Sequence, residues 1–441
     1  MYVLYTLVLL LGGLVCMPYL LWRSLRGAAY HRDVLERLGY GIALPAGIPQ
    51  AQGCLWFHAA SVGEVQGLQP IVASLRERFP TLSVVFSTFT PTGKMMARRL
   101  VPEAASVFLL PVDVPWVMRR LVRRLRPRAV IVQETELWPN LFRAAARQHV
   151  PVVVVNGRLS PRSFRRSLWL RWFMRRLLTD VTLLLVQSHE VAQRFQRLGA
   201  APQRLQVVGN TNIDRALLAS QQSTPPHVLA SVLQGRRILM AGSTHEGEET
   251  VLLAVWRRLR QEYPDLLLVL APRHLERTAT VVRHVQTYHA KAVCRSQCEF
   301  LPQPTLAGES VLVLDTLGEL ATLYGLCTVA FVGGSLVPVG GHNILEPAAC
   351  AKPLFFGPHM QHFPELAKML CDAGGACQVR GEDDLYTQIG RIFRQPSQGH
   401  AMGRRALQAL SASRGALAHT RQVLTALIER HADDSVAPEA M

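Results

Sequence analysis

Lysine is almost absent from this chain of 441 residues: of 48 basic side chains only Lys94, Lys291, Lys352 and Lys368 are lysines, and the rest are arginines. Acids number 31, so the formal net charge is 48 − 31 = +17. A surplus carried by guanidinium suits forked contacts to phosphate or carboxylate, and points to anionic partners: nucleic acid, a phospholipid surface or a phosphorylated small molecule. No two of the eight cysteines form a CxxC pair, and Cys294 with Cys298 lacks a second Cys/His pair at zinc spacing. A disulfide scaffold and a zinc site are thereby disfavoured, leaving idle or buried thiols in a reducing compartment. There is no GxxxxGK[ST] and no strand-linked GxGxxG, which argues against a P-loop ATPase and an NAD enzyme. Charged residues are only 18% against 49% hydrophobic ones, which excludes disorder over most of the length.

Apolar material is plentiful and patterned. Val3 to Trp22 carries no charge, and Arg23, Arg26, Arg32 and Arg37 follow it. As a helix this stretch spans roughly 30 Å, about the thickness of a bilayer core. The trailing arginines put the rest of the chain in the cytoplasm. Residues 1–23 are therefore expected to be a single-pass anchor, with Gly12, Gly13 and Pro18 leaving a shallower insertion open. From residue 53, short runs that are apolar at every position alternate with amphipathic stretches, the mark of parallel strands covered on both faces by helices. The runs fall into two groups, within 35–218 and 236–431, around a Ser/Gln/Thr/Pro-rich linker at 219–235, and a tail follows at 432–441. The expected architecture is α/β, with two doubly wound Rossmann-like domains facing a cleft lined by strand carboxyl ends.

Chemistry-bearing residues follow the predicted strands. Phe57-His58-Ala59-Ala60-Ser61-Val62-Gly63-Glu64 reads as strand, turn and helix. Glu64 is placed either as a general base at a strand end or as the carboxylate of a Ser61-x-x-Glu64 capping box. Gln133-Glu134-Thr135-Glu136 again follows a strand. A metal reading of this glutamate pair is weaker than one in which one carboxylate faces the cleft and the other caps a helix. Residues 157–178 hold seven arginines and no acid, interleaved with Phe164, Trp169, Trp172 and Phe173. A basic helix bearing tryptophans reads as interfacial, lying on an anionic membrane; a core helix with a solvated arginine face is the plainer alternative.

In the second half, Gly242-Ser243-Thr244-His245-Glu246, Pro272-Arg273-His274, Leu317-Gly318-Glu319 and Gly333-Gly334-Ser335 with Gly340-Gly341-His342-Asn343-Ile344-Leu345-Glu346 each follow a predicted strand. Glycine turns opening helices expose backbone N–H groups to phosphate. Arg273 suits a forked contact to that anion, and Glu346 suits ribose hydroxyls.

Taken in order, His58 to Glu64, Glu134-Thr135-Glu136-Leu137-Trp138-Pro139-Asn140, Gly242 to Glu246, Pro272 to His274 and Gly341 to Pro347 resemble the 3-deoxy-D-manno-octulosonic acid (Kdo) transferases of lipopolysaccharide biosynthesis. The resemblance runs along nearly the whole chain. It implies a GT-B fold and an inverting transfer, with CMP-Kdo as donor and a lipid A precursor (lipid IVA) as acceptor. The reaction would proceed at the cytoplasmic face of the inner membrane, on anionic lipids, with no metal and no cofactor. By position it implies Glu64 as catalytic base and Glu134 as a transition-state stabiliser. It assigns CMP binding to Pro272, Arg273, Leu317, Gly318, Glu319, Asn343, Ile344, Leu345 and Glu346. One departure stands out: where the family usually has Gly-Asn-x-Lys, this chain has Gly209-Asn210-Thr211-Asn212. Arg158, Arg162 and Arg215 are the candidate substitutes for the missing ammonium. Three rival readings make different predictions. A UDP-sugar relative would be inhibited by UDP rather than CMP. A nucleic-acid binder would show steeply salt-dependent affinity for oligonucleotides, and a non-catalytic scaffold would not need Glu64.

Overall fold

The computed structural model describes residues 1–24, 28–42, 53–222, 229, 233, 235–298 and 310–434. They form two compact units, one of residues 1–211 with 415–441 and one of residues 212–414.

The first unit is built on a parallel sheet of seven strands: β1 (Cys54–Ala59), β2 (Ser83–Thr88), β3 (Ser106–Leu109), β4 (Pro127–Gln133), β5 (Val152–Gly157), β6 (Leu183–Val186) and β7 (Leu205–Val207), in the order β3-β2-β1-β4-β5-β6-β7. The chain starts in the middle and winds outward in both directions, so the switch point lies between β1 and β4. There the connections that leave the two carboxyl ends run in opposite directions, the place where doubly wound sheets form a crevice. Alternate residues of the same strands feed two cores. Leu55, Phe57, Ile131, Val153 and Val155 pack on one side, and Trp56, Val130, Val132, Val152 and Val154 on the other. That two-sided burial is why these strands read as unbroken apolar runs.

Ten helices are introduced here in chain order: α1 (Tyr2–Ser24), α2 (Ala28–Arg37), α3 (Val62–Arg78), α4 (Pro91–Leu100), α5 (Pro115–Leu125), α6 (Pro139–Ala146), α7 (Pro161–Trp169), α8 (Arg171–Leu178), α9 (His189–Leu198) and α10 (Thr211–Gln222). The helix Ala416–Asp434 belongs to the first unit, with Leu424 and Ile428 buried beside Leu68, Ile71 and Leu75 of α3. The sequence had assigned this closing segment to the second domain, and its local amphipathicity carries no label for which sheet it covers.

The second unit has strands β8 (Ile238–Thr244), β9 (Leu267–Pro272), β10 (Lys291–Cys294), β11 (Ser310–Val313), β12 (Val329–Val332), β13 (Leu354–Phe356) and β14 (Ala376–Gln378), all parallel, in the order β10-β11-β9-β8-β12-β13-β14. Its switch point lies between β8 and β12. Of the expected linker 219–235, residues 223–228, 230–232 and 234 lie outside the described residues, whereas Leu229 and Leu233 sit in this unit's core with Ile213 and Leu217. The expected tail begins later than position 432, because the last helix runs to Asp434 and 435–441 fall outside the description.

The expected anchor, residues 1–23, lies only partly within the described side chains. Among the described residues no helix is long and apolar enough to cross a membrane. Side chains of α1 are described to residue 15, and its first turns are tied into the first unit. The Tyr2 hydroxyl donates to Asp180, Tyr5 donates to Asp113 at 3.1 Å, and Thr6 Oγ1 accepts from Asn140 Nδ2 at 3.1 Å. The helix that follows is tied to the same unit, through Glu36 to Lys94 Nζ at 2.6 Å and to the Leu109 N–H at 2.8 Å.

Candidate active site

At the switch point of the first unit, the turn after β1 places Glu64 in the first turn of α3. Its Oε2 accepts the Ala60 N–H at 2.7 Å and its Oε1 accepts the Ser61 hydroxyl at 3.3 Å. Ser61 caps no helix N–H, so the reciprocal capping box is not formed. Burial raises the Glu64 carboxyl to about 7; the Ala60 N–H opposes this, while the charges of Glu134 and Glu136 push it higher. A carboxyl poised there exchanges protons near neutral pH, as a general base must.

Glu134 follows β4 in the left-handed region, at φ 57°, an uncommon and strained conformation for a residue with a Cβ. Its Oε2 meets Arg158 Nε at 2.6 Å, from the turn after β5. Burial raises the Glu134 carboxyl and Arg158 pulls it back. Glu136 lies 4.0 Å from His58 Nε2. That imidazole is fully buried, and its tautomer follows from its partners. Trp138 Nε1 can only donate and does so to Nε2 at 3.0 Å, so Nδ1 carries the hydrogen and donates to Ser87 Oγ at 2.9 Å. The same hydroxyl oxygen accepts from Trp56 Nε1 at 2.8 Å. Burial lowers the His58 pKa, which agrees with a neutral ring locked from both sides. The His58-Ser87-Trp138 chain thus fixes the segment that carries Glu134 and Glu136. The sequence motif contains His58 and Trp138 but gives no sign of Ser87, which comes from a different strand.

At the switch point of the second unit, Glu248, in the first turn of the helix Glu248–Arg260, is fully buried and accepts four backbone N–H groups. His245 donates at 3.0 Å, Gly334 at 2.7 Å, and Ser335 and Leu336 at 2.9 Å each. This corrects the reading of the Gly333-Gly334-Ser335 turn as an open phosphate cradle, because a protein carboxylate already fills it. Gly333 is needed there: a Cβ would stand 2.5 Å from the Ser243 carbonyl and 2.8 Å from Glu248 Oε2. Glu249 beside it accepts Arg277 Nη1 at 2.9 Å and the Thr244 hydroxyl at 3.0 Å. Neither carboxylate was singled out from the sequence; two acids opening a helix after a strand are the signal that was available.

His245 and His342 stack with planes 6° apart and share an Nε2–Nε2 contact of 2.7 Å. Burial lowers both, His342 to about 4 with the help of its basic neighbours His245 and Arg273. One ring nitrogen therefore donates and the other accepts. Pro272 ends β9, and Arg273 after it is exposed. Asn343 bridges the start of the short helix Leu345–Ala349, with Oδ1 accepting from the Leu345 N–H at 3.1 Å and Nδ2 donating to Glu346 at 2.9 Å. Burial raises the Glu346 carboxyl, and Arg215 from α10 opposes it. Ile344 and Leu345 are core residues, so any contact they make to a ligand runs through their backbone. After β11, Leu317 is 83% exposed and Gly318 has φ 90°. Glu319 is held by Arg295 Nη2 at 2.8 Å and by Thr316. The carboxyl ends of β9, β11 and β12 thus gather the nucleotide candidates within one unit. Of the three candidate cations, Arg158 pairs with Glu134, Arg215 lies beside Glu346, and Arg162 is exposed at the start of α7. Among the described residues no group of three or more His, Cys, Asp or Glu side chains is arranged to hold a metal.

Comparison with known proteins agrees over both units. The family profile "3-Deoxy-D-manno-octulosonic-acid transferase (kdotransferase)" matches residues 32–215. A 3-deoxy-D-manno-octulosonic acid transferase of Haemophilus influenzae is 33% identical over 423 residues, covering 95% of this chain and 97% of its own. The one from Bordetella pertussis is 32% identical over 428 residues, with the same coverages of 95% and 97%. A UDP-GlcNAc 2-epimerase from Neisseria meningitidis, solved with UDP-GlcNAc, superimposes with a TM-score of 0.59 at 14% identity, over 85% of this chain and 99% of its own. At that identity the likeness is one of fold.

Proposed function

The chain belongs to the 3-deoxy-D-manno-octulosonic acid transferases, glycosyltransferases of lipopolysaccharide biosynthesis, and on that premise we propose a reaction and a role for each site residue. The donor is CMP-Kdo and the acceptor is lipid IVA. An acceptor sugar hydroxyl attacks the anomeric carbon of Kdo and gives its proton to Glu64. The bond from that carbon to the CMP phosphate oxygen breaks with the electron pair leaving on CMP, and the configuration inverts. Arg273 receives the phosphate by a charge-assisted contact. Asn343 and Glu346 address the ribose side, and Glu134 with Arg158 steadies charge developing at the sugar. The chemistry is assigned wholly to side chains, without metal or cofactor.

The observation that carries this reading is Glu64: a half-buried carboxylate at a strand-end crevice, raised to about 7, in a chain whose second unit gathers the nucleotide motifs. We place the enzyme on the cytoplasmic face of the inner membrane. Its support there is the exposed apolar side of α1 (Val3, Leu7, Leu11, Leu14) and the exposed Trp169 and Trp172 among the arginines of α7 and α8. The test is incubation of purified protein with CMP-Kdo and tetra-acylated precursor, with products weighed by mass spectrometry. A mass gain of one or more Kdo units, inhibited by CMP and not by UDP, supports the proposal. Inhibition by UDP alone, or no transfer, refutes it.

A further inference from the structure

Beneath the first turns of α1 lies a cavity of about 870 Å³ that the catalytic reading does not use. It is within the size range of small-molecule sites. Its basic wall is Arg119 of α5, Arg143 and Arg147 of α6 or its end, and Arg176 of α8; its apolar wall is Leu7 and Leu10 of α1 with Trp116 and Trp172. The carboxylates nearby are committed elsewhere. Asp113 accepts the N–H groups of Asn140 and Leu141 at 2.9 and 2.8 Å and the Tyr5 hydroxyl, and Asp180 accepts Tyr2. Arg143 lies 4.2 Å from the Tyr2 ring centroid, and Arg119 Nε reaches only the Pro115 carbonyl, at 3.1 Å. None of the four guanidinium groups is ion-paired to a carboxylate among the described residues. Four cations and no anion against an apolar wall match one amphiphile: a phosphate with a hydrocarbon chain attached.

We propose that this cavity binds a single anionic glycerophospholipid of the surrounding bilayer. The phosphate sits on the arginines, and an acyl chain runs along Leu7, Leu10 and the two tryptophans toward the exposed apolar side of α1. The site lies beside the proposed membrane surface and rests on that placement, but shares no side chain with Glu64, Glu134 or the nucleotide motifs. Its effect is to add a lipid-dependent contact to those that already hold the first turns of α1 on the first unit.

The experiment uses the full chain in detergent, mixed with phosphatidylglycerol, phosphatidylcholine or inorganic phosphate, and counts retained ligand by native mass spectrometry. One phosphatidylglycerol per chain is expected, with weaker retention of phosphatidylcholine and no saturable binding of phosphate alone. Arg119→Glu with Arg147→Glu, both at exposed positions, is expected to lower phosphatidylglycerol affinity by about tenfold or more. The Lys versions should restore most of it. The double Glu variant should still pellet with phosphatidylglycerol vesicles through α7 and α8, which separates failure of this site from failure of the membrane placement. No retained lipid in the wild type, equal retention by the Glu variant, or tight binding of phosphate alone overturns the proposal. So does stronger retention of the bisphosphorylated acceptor than of phosphatidylglycerol, which would make the cavity an acceptor subsite.

Discussion

Glu64 is where local sequence and function are hardest to separate. Its carboxylate does accept a backbone N–H, as a helix-opening acid would, yet the cap is not reciprocal and burial raises its pKa to about 7. A base must be unprotonated to accept a proton. Turnover at saturating substrate is therefore expected to rise with pH and level off above an inflection near 7; a flat profile from pH 5.5 to 8.5 would remove Glu64 from the chemistry. The same shift has a stability consequence. A carboxyl raised from its ordinary value holds its proton more tightly in the folded chain, so the folded state loses stability as pH rises from the unfolded value through about 7. Arg158 is the second residue of interest. Its pairing with Glu134 puts a guanidinium on the carboxylate proposed to steady charge at the sugar, whereas Arg215 is engaged near Glu346. Arg158→Ala is expected to cut transfer by roughly 10²–10³-fold with CMP affinity intact, the cost of one charge-stabilising donor. Asn212→Lys is expected to leave turnover near wild type. A large gain from Asn212→Lys with Arg158 dispensable would show that the missing ammonium was never replaced. His58 was visible in the sequence as part of a motif, but its locked tautomer was not, because Ser87 and Trp138 reach it from other elements.

Strands in the middle of each sheet were legible because burial on both faces leaves no polar position. β10 and β14, both edge strands, are not legible in this way. Lys291-Ala292-Val293-Cys294 and Ala376-Cys377-Gln378 keep exposed or half-buried positions, so they lack the continuous apolar signature. The arginine-rich stretch shows the same limit. Expected as one interfacial helix, it is two, α7 and α8, joined at Leu170, and its aromatics divide. Phe164 is buried and Phe173 packs against the rings of Tyr2 and Tyr5, while Trp169 is 87% exposed. The core reading holds for Phe164 and Phe173, and Trp169 stays on the surface. Reversing Arg165, Arg166 and Arg171 to Glu is expected to abolish sedimentation with anionic vesicles, and high salt should release the wild type. Equal binding of both to neutral and anionic vesicles would count against this face. In the second unit, Glu248→Ala leaves four buried or half-buried N–H groups without their acceptor. A loss of stability on the order of 4 kcal/mol, read from denaturant midpoints, is expected together with weakened CMP binding. A loss under about 1 kcal/mol would show that the turn does not depend on this carboxylate.

Across the whole molecule, the two wound units and the positions of their motifs were readable, because strand-end chemistry follows from topology alone. The division of the chain was not. The last helix, Ala416–Asp434, completes the first unit through Leu424 and Ile428, and nothing local in its pattern specifies a partner nearly the full chain length away. The contacts of α1 were hidden for a related reason: hydropathy measures length and apolarity, and the hydrogen bonds that pin Tyr2, Tyr5 and Thr6 to the first unit are long-range. The account assigns proton removal to the first unit and nucleotide binding to the second, so one side chain should separate them. Glu64→Gln keeps shape and hydrogen bonding while removing the base. With this variant, CMP-Kdo turnover and CMP titration by calorimetry should be measured on the same preparation. The account predicts a fall in turnover of roughly 10²–10⁴-fold, the range for a general base, with CMP affinity unchanged. Wild-type turnover in Glu64→Gln, or a loss of CMP binding in step with activity, would contradict it.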